Sequence, residues 1–325
     1  MVTRFVVTRI SLSRNIINFN VLLNIENKLN SGDIVVLDGG MGAELENLGA
    51  SMDKDLWSGR CSIDEPDIVY KAHQNFINSG ADIITTNTYA STPISMKEYG
   101  YEHHIEEWNN ASVNIAKSVA NNSDREIAVA GSVSTYGSWD KIEPKYLKPG
   151  FIQQINILSN AGVDLIILEA MTSSTRTIES LLDSSDQFDL PVWLSISCAL
   201  DRKSNKLMLG YQESLNNSEA FFYDDFESTI IKLKDIHNGP ILIAHSDIKV
   251  ANQAVMIAKK NYGGIVGVYP NNGFFKKPNW NVIESISPKD YLEEAQQWVD
   301  NGAQIVGGCC GISPNHIKAL SNLKN

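Results

Sequence analysis

The segment Asn78-Ser-Gly-Ala-Asp-Ile-Ile84 has the same layout as two later segments, Asn160-Ala-Gly-Val-Asp-Leu-Ile166 and Asp300-Asn-Gly-Ala-Gln-Ile-Val306. Each reads as the end of a helix, a glycine and the start of a buried strand, because glycine adopts the left-handed conformation that closes a helix. The three glycines, Gly80, Gly162 and Gly302, are separated by 82 and 140 residues. These intervals correspond to two and four βα units of roughly 35–40 residues each, which is typical of a (β/α)₈ barrel.

Short β-branched runs alternate with amphipathic segments along most of the chain. This alternation predicts repeated βα units around a parallel sheet. Eight runs are predicted to be strands: Asp33–Leu37, Asp82–Thr86, Ile127–Gly131, Asp164–Leu168, Val192–Ser197, Ile241–Ala244, Gly264–Val268 and Gln304–Val306. We therefore predict an α/β fold, a single (β/α)₈ TIM barrel over residues 31–325.

Residues 1–30 are predicted to form an N-terminal extension. They contain Arg4, Arg9 and Arg14 and no acidic residue before Glu26, a composition that resembles a mitochondrial transit segment. An extra helix, or a start codon assigned too early, is an alternative interpretation. The predicted location is cytoplasmic, with a mitochondrial location as the alternative.

The composition favours a globular protein that acts on small molecules. The formal net charge is −11 and the pI is about 5.0, which argues against a nucleic-acid partner because phosphate binding needs a basic face. Four cysteines are too few for a secreted disulfide scaffold and indicate a reducing compartment. No apolar run reaches the roughly 18 residues of a membrane-spanning helix. We expect small-molecule substrates, no nucleic-acid or membrane partner, and leave a homo-oligomer open.

The residues that follow the predicted strands are the candidates for function, because the active site of a (β/α)₈ barrel lies at the carboxyl ends of its strands. None of these residues is lysine, which argues against a Schiff-base aldolase. They are Asp38, Asn87 with Thr88, Ser132, Glu169, Cys198, His245, Tyr269 with Asn271, and Cys309 with Cys310.

The segment Gly307-Gly-Cys-Cys-Gly311 is the most informative of these. Neighbouring residues of a regular strand point to opposite faces, so two adjacent thiolates can meet one ion only where the backbone becomes irregular. The flanking glycines allow such a turn. We predict that Cys309 and Cys310 bind a thiophilic metal; the alternative is a pair of small buried apolar residues.

The sequence resembles the homocysteine S-methyltransferase family over nearly everything from Val36 to Ile317. No single motif is specific, but their order and coverage together are. The matching residues are Leu37-Asp-Gly-Gly-Met-Gly-Ala-Glu-Leu45, Leu56-Trp-Ser58 with Pro66 and His73, Gly80-Ala-Asp-Ile-Ile-Thr-Thr-Asn-Thr-Tyr89, Asp164-Leu-Ile-Ile-Leu-Glu169, Tyr269-Pro-Asn-Asn-Gly273, Trp298, and Gly307-Gly-Cys-Cys-Gly311 with Pro314, His316 and Ile317.

This resemblance implies that zinc activates the thiol of homocysteine for attack on the methyl group of a sulfonium or quaternary ammonium donor, giving methionine. In the family, three cysteines hold the ion and the substrate thiol takes the fourth position. By resemblance, Asp38 and Glu169 face the amino group of homocysteine, and the motif residues Gly39, Asn87 and Tyr89 complete the substrate site. Taken alone, either acid could equally cap a helix or pair with an arginine. No further catalytic residue is predicted.

The sixth strand departs from the family pattern. The family usually has Val-Asn-Cys there, whereas this chain reads Ile243-Ala244-His245-Ser246-Asp247. His245 aligns with the missing cysteine, and imidazole is a good zinc ligand. A one-residue shift would place Ser246 there instead, and a hydrogen-bonded structural histidine is a further alternative. We predict a zinc site formed by His245, Cys309 and Cys310.

The methyl donor is harder to predict. A methyl-bearing cation is often held over aromatic faces, and the candidate aromatic residues are Trp57, Tyr89, Tyr136, Trp139 and Tyr269. Two other functions stay open. One is a metal-free barrel that binds a small amino acid or thiol without methyl transfer, and the other is zinc-dependent hydrolysis with Glu169 or Asp247 as the general base.

Overall fold

The computed structural model describes residues 21–137, 143–171, 173–212, 220–276, 279–281 and 286–324. Its helices, numbered in chain order, are α1 (21–31), α2 (Met41–Asn47), α3 (Cys61–Asp64), α4 (Pro66–Asn78), α5 (Pro93–Glu98), α6 (Ile105–Asn121), α7 (Pro144–Ala161), α8 (Thr175–Ser185), α9 (Phe226–Leu233), α10 (Ile248–Tyr262), α11 (Pro288–Asp300) and α12 (Pro314–Leu320). The strands are β1 (Val35–Val36), β2 (Ile83–Thr85), β3 (Ala128–Ser134), β4 (Leu165–Met171), β5 (Val192–Ile196), β6 (Cys198–Asp201), β7 (Lys206–Tyr211), β8 (Phe221–Asp225), β9 (Ile241–Asp247), β10 (Val266–Asn271), β11 (Phe274–Lys276), β12 (Asn279–Asn281) and β13 (Ile305–Val306).

Eight parallel strands form the barrel, in the order β1-β13-β10-β9-β5-β4-β3-β2. A parallel bridge between Leu37 and Ile83 joins the two outer strands of this order. The predicted (β/α)₈ fold is therefore confirmed, and each of the eight predicted runs overlaps an observed strand. None of the helices in the described residues has an apolar stretch of the length that spans a membrane.

The repeated glycines act as the sequence predicts. Gly80, Gly162 and Gly302 have φ values of +104°, +88° and +99°, and each lies between a helix and the next strand. At the start of α11, Ser287 accepts a hydrogen bond from the backbone N–H of Asp290. Helix stops and starts are therefore encoded locally in this chain.

Four strands are longer than predicted at their carboxyl ends. β3, β4, β9 and β10 each extend three residues beyond the predicted apolar run. The added residues include the polar side chains of Glu169, His245 and Asn271. Hydrogen bonding of the strands thus continues into the polar layer where the predicted site residues lie.

Buried side chains form two separate layers on either side of the barrel sheet. Val36, Ile84 and Val129 pack outward against the helices, whereas Val35 and Ile83 pack inside the barrel. Ile25 and Leu29 of α1 join the inner cluster. The described part of the predicted N-terminal extension therefore packs onto the barrel as a helix, while Arg4, Arg9 and Arg14 lie outside the described residues.

Two antiparallel additions were not predicted. β6, β7 and β8 form a three-stranded sheet, and β11 pairs with β12 in a hairpin. Cys198, predicted to follow the fifth barrel strand, lies two residues after the end of β5 and is the first residue of β6. Both additions contribute side chains to the cavity described next.

Candidate active site

A cavity of about 360 Å³ opens at the carboxyl ends of the barrel strands. Asp38, Glu169, His245, Cys309 and Cys310 all line it. These residues follow or end four different strands, β1, β4, β9 and β13, so the barrel brings together side chains that are far apart in sequence.

The glycine-rich turn after β13 holds the two cysteines. The backbone N–H of Gly308 donates to the Asp38 carbonyl, and that of Cys309 donates to the Pro270 carbonyl. A Cβ atom on Gly308 would lie 2.1 Å from the Ile312 side chain. The turn is thus packed too closely for a side chain at Gly308, and it leaves the two sulfur atoms 4.0 Å apart.

His245 lies opposite the cysteines. Its backbone has φ +47°, an uncommon value for a residue other than glycine, and one ligand atom from each of His245, Cys309 and Cys310 lies within 4.8 Å of the others. Ser246 has a different role, because its hydroxyl accepts from the Cys198 N–H and donates to the Ala244 carbonyl. The structure therefore places His245, and not Ser246, beside the two thiols.

The donor set of this cluster suits zinc. Two thiols and one imidazole are common zinc ligands, and a site with three protein ligands leaves one tetrahedral position for a substrate. Zn–S bonds of about 2.3 Å place two thiolates roughly 3.8 Å apart, close to the 4.0 Å between the sulfurs here. All three side chains are at least nine-tenths buried.

The thiol of Cys309 is predisposed to ionise. Hydrogen bonds from the Cys310 thiol and the His245 side chain hold the pKa of Cys309 well below its usual range, although burial acts in the opposite direction. A thiolate is the form of cysteine that binds metals. The other two cysteines differ, because burial raises the pKa of Cys61 and of Cys198 to about 12.

The two predicted acids share the same cavity. Burial raises the pKa of Asp38 to about 7, although hydrogen bonds from the Thr85 N–H and hydroxyl oppose this rise. Burial, with the negative charge of Cys309, raises the pKa of Glu169 to about 8, and the Ser132 hydroxyl donates to Glu169. Neither acid caps a helix or pairs with an arginine among the described residues.

Three further residues of the predicted substrate site also line the cavity. Gly39 packs so closely that a Cβ atom would lie 2.4 Å from the Ile312 carbonyl oxygen. The Asn87 amide forms two hydrogen bonds with Ser58. It accepts from the Ser58 hydroxyl at 3.0 Å and donates to the Ser58 carbonyl at 2.8 Å. Tyr89 is in edge contact with Tyr136, with ring centroids 5.7 Å apart.

The aromatic candidates for donor binding lie mostly where the sequence predicts. Trp57, Tyr89, Tyr136 and Tyr269 line the cavity, whereas Trp139 lies outside the described residues. Tyr211 of β7 and Trp280 of β12 also line it, and the sequence analysis missed both. No signal marked them, since they belong to the antiparallel additions and not to barrel strand ends.

Asp247, the alternative general base, has a structural role. Its side chain caps α10 by accepting from the Lys249 N–H at 2.8 Å. It is also absent from the residues that line the cavity. The hydrolytic interpretation therefore depends on Glu169 alone.

Comparison with known proteins shows that the whole barrel matches a single protein family. Residues 35–323 match the family model described as homocysteine S-methyltransferase. The chain is 27% identical to homocysteine S-methyltransferase 3 of Arabidopsis thaliana, with 90% of each chain covered. It is 25% identical to a selenocysteine methyltransferase of Astragalus bisulcatus, covering 89% of this chain and 92% of the relative.

The fold is also shared with a solved structure. The metallated form of the homocysteine methyltransferase MmuM from Escherichia coli superposes with a TM-score of 0.72 at 22% identity. The match covers 90% of this chain and 97% of that one. At this identity the similarity supports the fold.

Proposed function

This chain belongs to the homocysteine S-methyltransferase family, and we propose that it moves a methyl group from a sulfonium or quaternary ammonium donor to the thiol of homocysteine, giving methionine, with zinc held by His245, Cys309 and Cys310. The observation that carries this proposal is the cluster of these three ligands beside Asp38 and Glu169 in one cavity. In a small thiol-bearing amino acid, the thiol complements the ligand cluster and the ammonium group complements the two carboxylates.

The chain supplies binding and orientation. When bound, the ion supplies the positive charge that keeps a coordinated thiol ionised near neutral pH, where a free thiol of pKa about 8.5 is mostly protonated. We expect the ammonium group of the substrate to donate charge-assisted hydrogen bonds to Asp38 and Glu169. We propose that these two contacts orient homocysteine in the cavity.

Aromatic side chains that line the cavity support the proposal of a cationic methyl donor. Trp57, Tyr89 and Tyr136 line the cavity, and the negative face of an aromatic ring attracts a methyl-bearing cation. A reducing compartment suits a site built from free thiols, so we retain the cytoplasm as the proposed location and the mitochondrion as the alternative.

A donor panel tests the proposal. Protein purified under reducing conditions is incubated with homocysteine and, separately, S-methylmethionine, S-adenosylmethionine, betaine or dimethylsulfoniopropionate, and methionine is measured. Selenocysteine is included as a second acceptor because of the relative that carries its name. Methionine formation with at least one donor is expected; formation with none of them would favour a barrel that binds a thiol or amino acid without methyl transfer.

Loss of one ligand gives the matched test of the metal site. We expect Cys309→Ser to lower the amount of bound zinc and to reduce kcat/KM by more than about 100-fold. Changes to a hydrogen-bond partner of a metal ligand typically cost about 10- to 100-fold, and loss of the ligand itself should cost more. Cys61→Ser is the control, because Cys61 is buried outside the cavity, where it packs with Leu45 and Val69 and its thiol donates to the Ser51 carbonyl. Chelation should abolish activity and added zinc should restore it; full activity of zinc-free protein would contradict the proposal.

A further inference from the structure

The side chain of Asn271 lies against His245 at the ends of two neighbouring strands. The Asn271 Nδ2 atom is 3.2 Å from His245 Nδ1. Asn271 is only 2% exposed, and its Oδ1 atom is buried without a hydrogen-bond partner among the described residues. The amide therefore makes its contact with His245 through one atom and leaves the other unused.

The orientation of the Asn271 amide decides which nitrogen of His245 carries the proton. An amide NH₂ can only donate, so the facing Nδ1 must be an unprotonated acceptor and the proton must lie on Nε2. The His245 side chain also hydrogen-bonds Cys309. With Asn271 in this orientation, Nε2–H is the group that can donate to the thiol, and a protonated nitrogen cannot bind a metal.

The opposite orientation of the amide has the opposite effect. The nitrogen and oxygen of an asparagine amide are nearly equal in size, so a half-turn of the amide exchanges their positions. Because Oδ1 has no other partner in this part of the molecule, no competing hydrogen bond holds that oxygen in place. With Oδ1 facing His245, Nδ1 carries the proton and Nε2 is the ring nitrogen that has a lone pair for a metal.

We propose that Asn271 is a positioning residue for His245, whose amide turns its oxygen to Nδ1–H when metal binds and so commits Nε2 to the ion. This proposal rests on the proposed metal site but not on methyl transfer. Histidine ligands generally donate their second N–H to an oxygen acceptor, and removing that acceptor weakens metal binding about 10- to 100-fold. The pairing is specific to a histidine ligand, since a cysteine has no second nitrogen to orient.

Zinc affinity in two backgrounds tests the proposal. The zinc dissociation constant is measured by competition with a chromophoric chelator, without homocysteine or donor. Asn271→Leu, which has a similar size and no acceptor, should weaken zinc binding by about 10- to 100-fold in the parent protein and by less than about threefold in the His245→Cys background. An equal loss in both backgrounds, or no loss in the parent, would overturn the proposal.

Asn271→Asp provides a second variant should Asn271→Leu fail to fold. Its carboxylate is an acceptor for Nδ1–H, so zinc affinity should equal or exceed that of the parent; a tenfold loss would contradict the proposed role. Long-range ¹H–¹⁵N spectra of ¹⁵N-histidine-labelled, zinc-loaded protein should show His245 protonated on Nδ1, and a signal for the Nε2–H form would overturn the assignment. If zinc binding follows this pattern while no donor yields methionine, the proposed function fails and this inference stands.

Discussion

Gly311 closes the turn that carries both cysteines, and its backbone lies where no side chain fits. Its φ is +80°, and a Cβ atom would lie 1.9 Å from the carbonyl oxygen of Asn272. Gly49 has a similar φ of +90° but has no atom within 4 Å of the same position. The two glycines therefore separate the effect of backbone strain from that of a clash.

Alanine substitutions at these two glycines should differ in cost. We expect Gly49→Ala to lower the free energy of unfolding by about 1 kcal/mol through left-handed strain alone, and Gly311→Ala by about 3 kcal/mol because the clash adds to it. Urea unfolding and bound zinc are measured for both variants. Equal stabilities, or normal zinc content in Gly311→Ala, would show that the turn tolerates a side chain.

At the residue scale, the cluster that we propose as the metal site could be predicted only in part. Cys309 and Cys310 are marked by their glycines, whereas the choice between His245 and Ser246 depends on the backbone of β9. A shift of one residue reverses which side chain faces the cavity, and the positive φ of His245 is not encoded by any neighbouring glycine. The structure was needed to make that choice.

At the scale of elements, α2 is joined to the hairpin β11–β12 by one carboxylate. Glu46 accepts hydrogen bonds from the Trp57 Nε1–H at 2.8 Å and from the Trp280 backbone N–H at 3.0 Å. It also accepts from the Asn279 amide at 3.3 Å. Glu46 thus holds two tryptophans that line the cavity from separate elements.

Replacing Glu46 with methionine should weaken donor binding more than homocysteine binding. Both tryptophan N–H groups donate to the same Glu46 oxygen; methionine has a similar length but no such acceptor, so both hydrogen bonds are lost, at a cost of about 1–2 kcal/mol or about a five- to thirtyfold rise in KM for the donor. The effect should be smaller in a Trp57→Phe background, which lacks the indole N–H. Equal rises in both KM values would mean that Glu46 acts on the whole site.

The hairpin and the β6–β8 sheet show why sequence periodicity did not reveal every element. The β11 and β12 strands contain three residues each, too short for an alternating pattern to be distinguished from a loop. The pairing is antiparallel in both the hairpin and the β6–β8 sheet, and it interrupts the βα order that made the barrel strands predictable. Trp280 and Tyr211 were missed for this reason.

At the scale of the whole molecule, Asp82 contacts side chains near both ends of the described residues. This carboxylate is 4% exposed and lies within 4 Å of the cationic groups of Lys28, Arg125 and Lys324. It also accepts from the Val36 N–H at 2.9 Å, across the junction between β1 and β2. The junction where the barrel closes is therefore stabilised by one buried charge.

Asp82→Asn should destabilise the protein while keeping its shape. The amide retains an acceptor for Val36 but leaves three cations without their anion, and we expect a loss of about 2–3 kcal/mol in the free energy of unfolding. Lys28→Met removes one partly exposed cation and should cost less than about 1 kcal/mol. Urea unfolding compares the three proteins; a Lys28→Met variant as unstable as Asp82→Asn would contradict this account.

The barrel itself could be predicted from sequence because its information is local. Gly80, Gly162 and Gly302 each mark a helix end beside an apolar strand. The packing of α1 against the inner cluster and the contact of Lys324 with Asp82 join residues more than fifty positions apart. No local pattern in a single sequence encodes such pairings.

The position of Asp82 has a practical consequence. Lys28 and Lys324 reach it near the amino end of β2, whereas the cavity opens at the carboxyl ends of the strands. Lys28 and Lys324 therefore lie on the face away from the entrance. A tether to a solid support, or a fused reporter protein, attached beside Lys324 starts on the face opposite the route for small substrates.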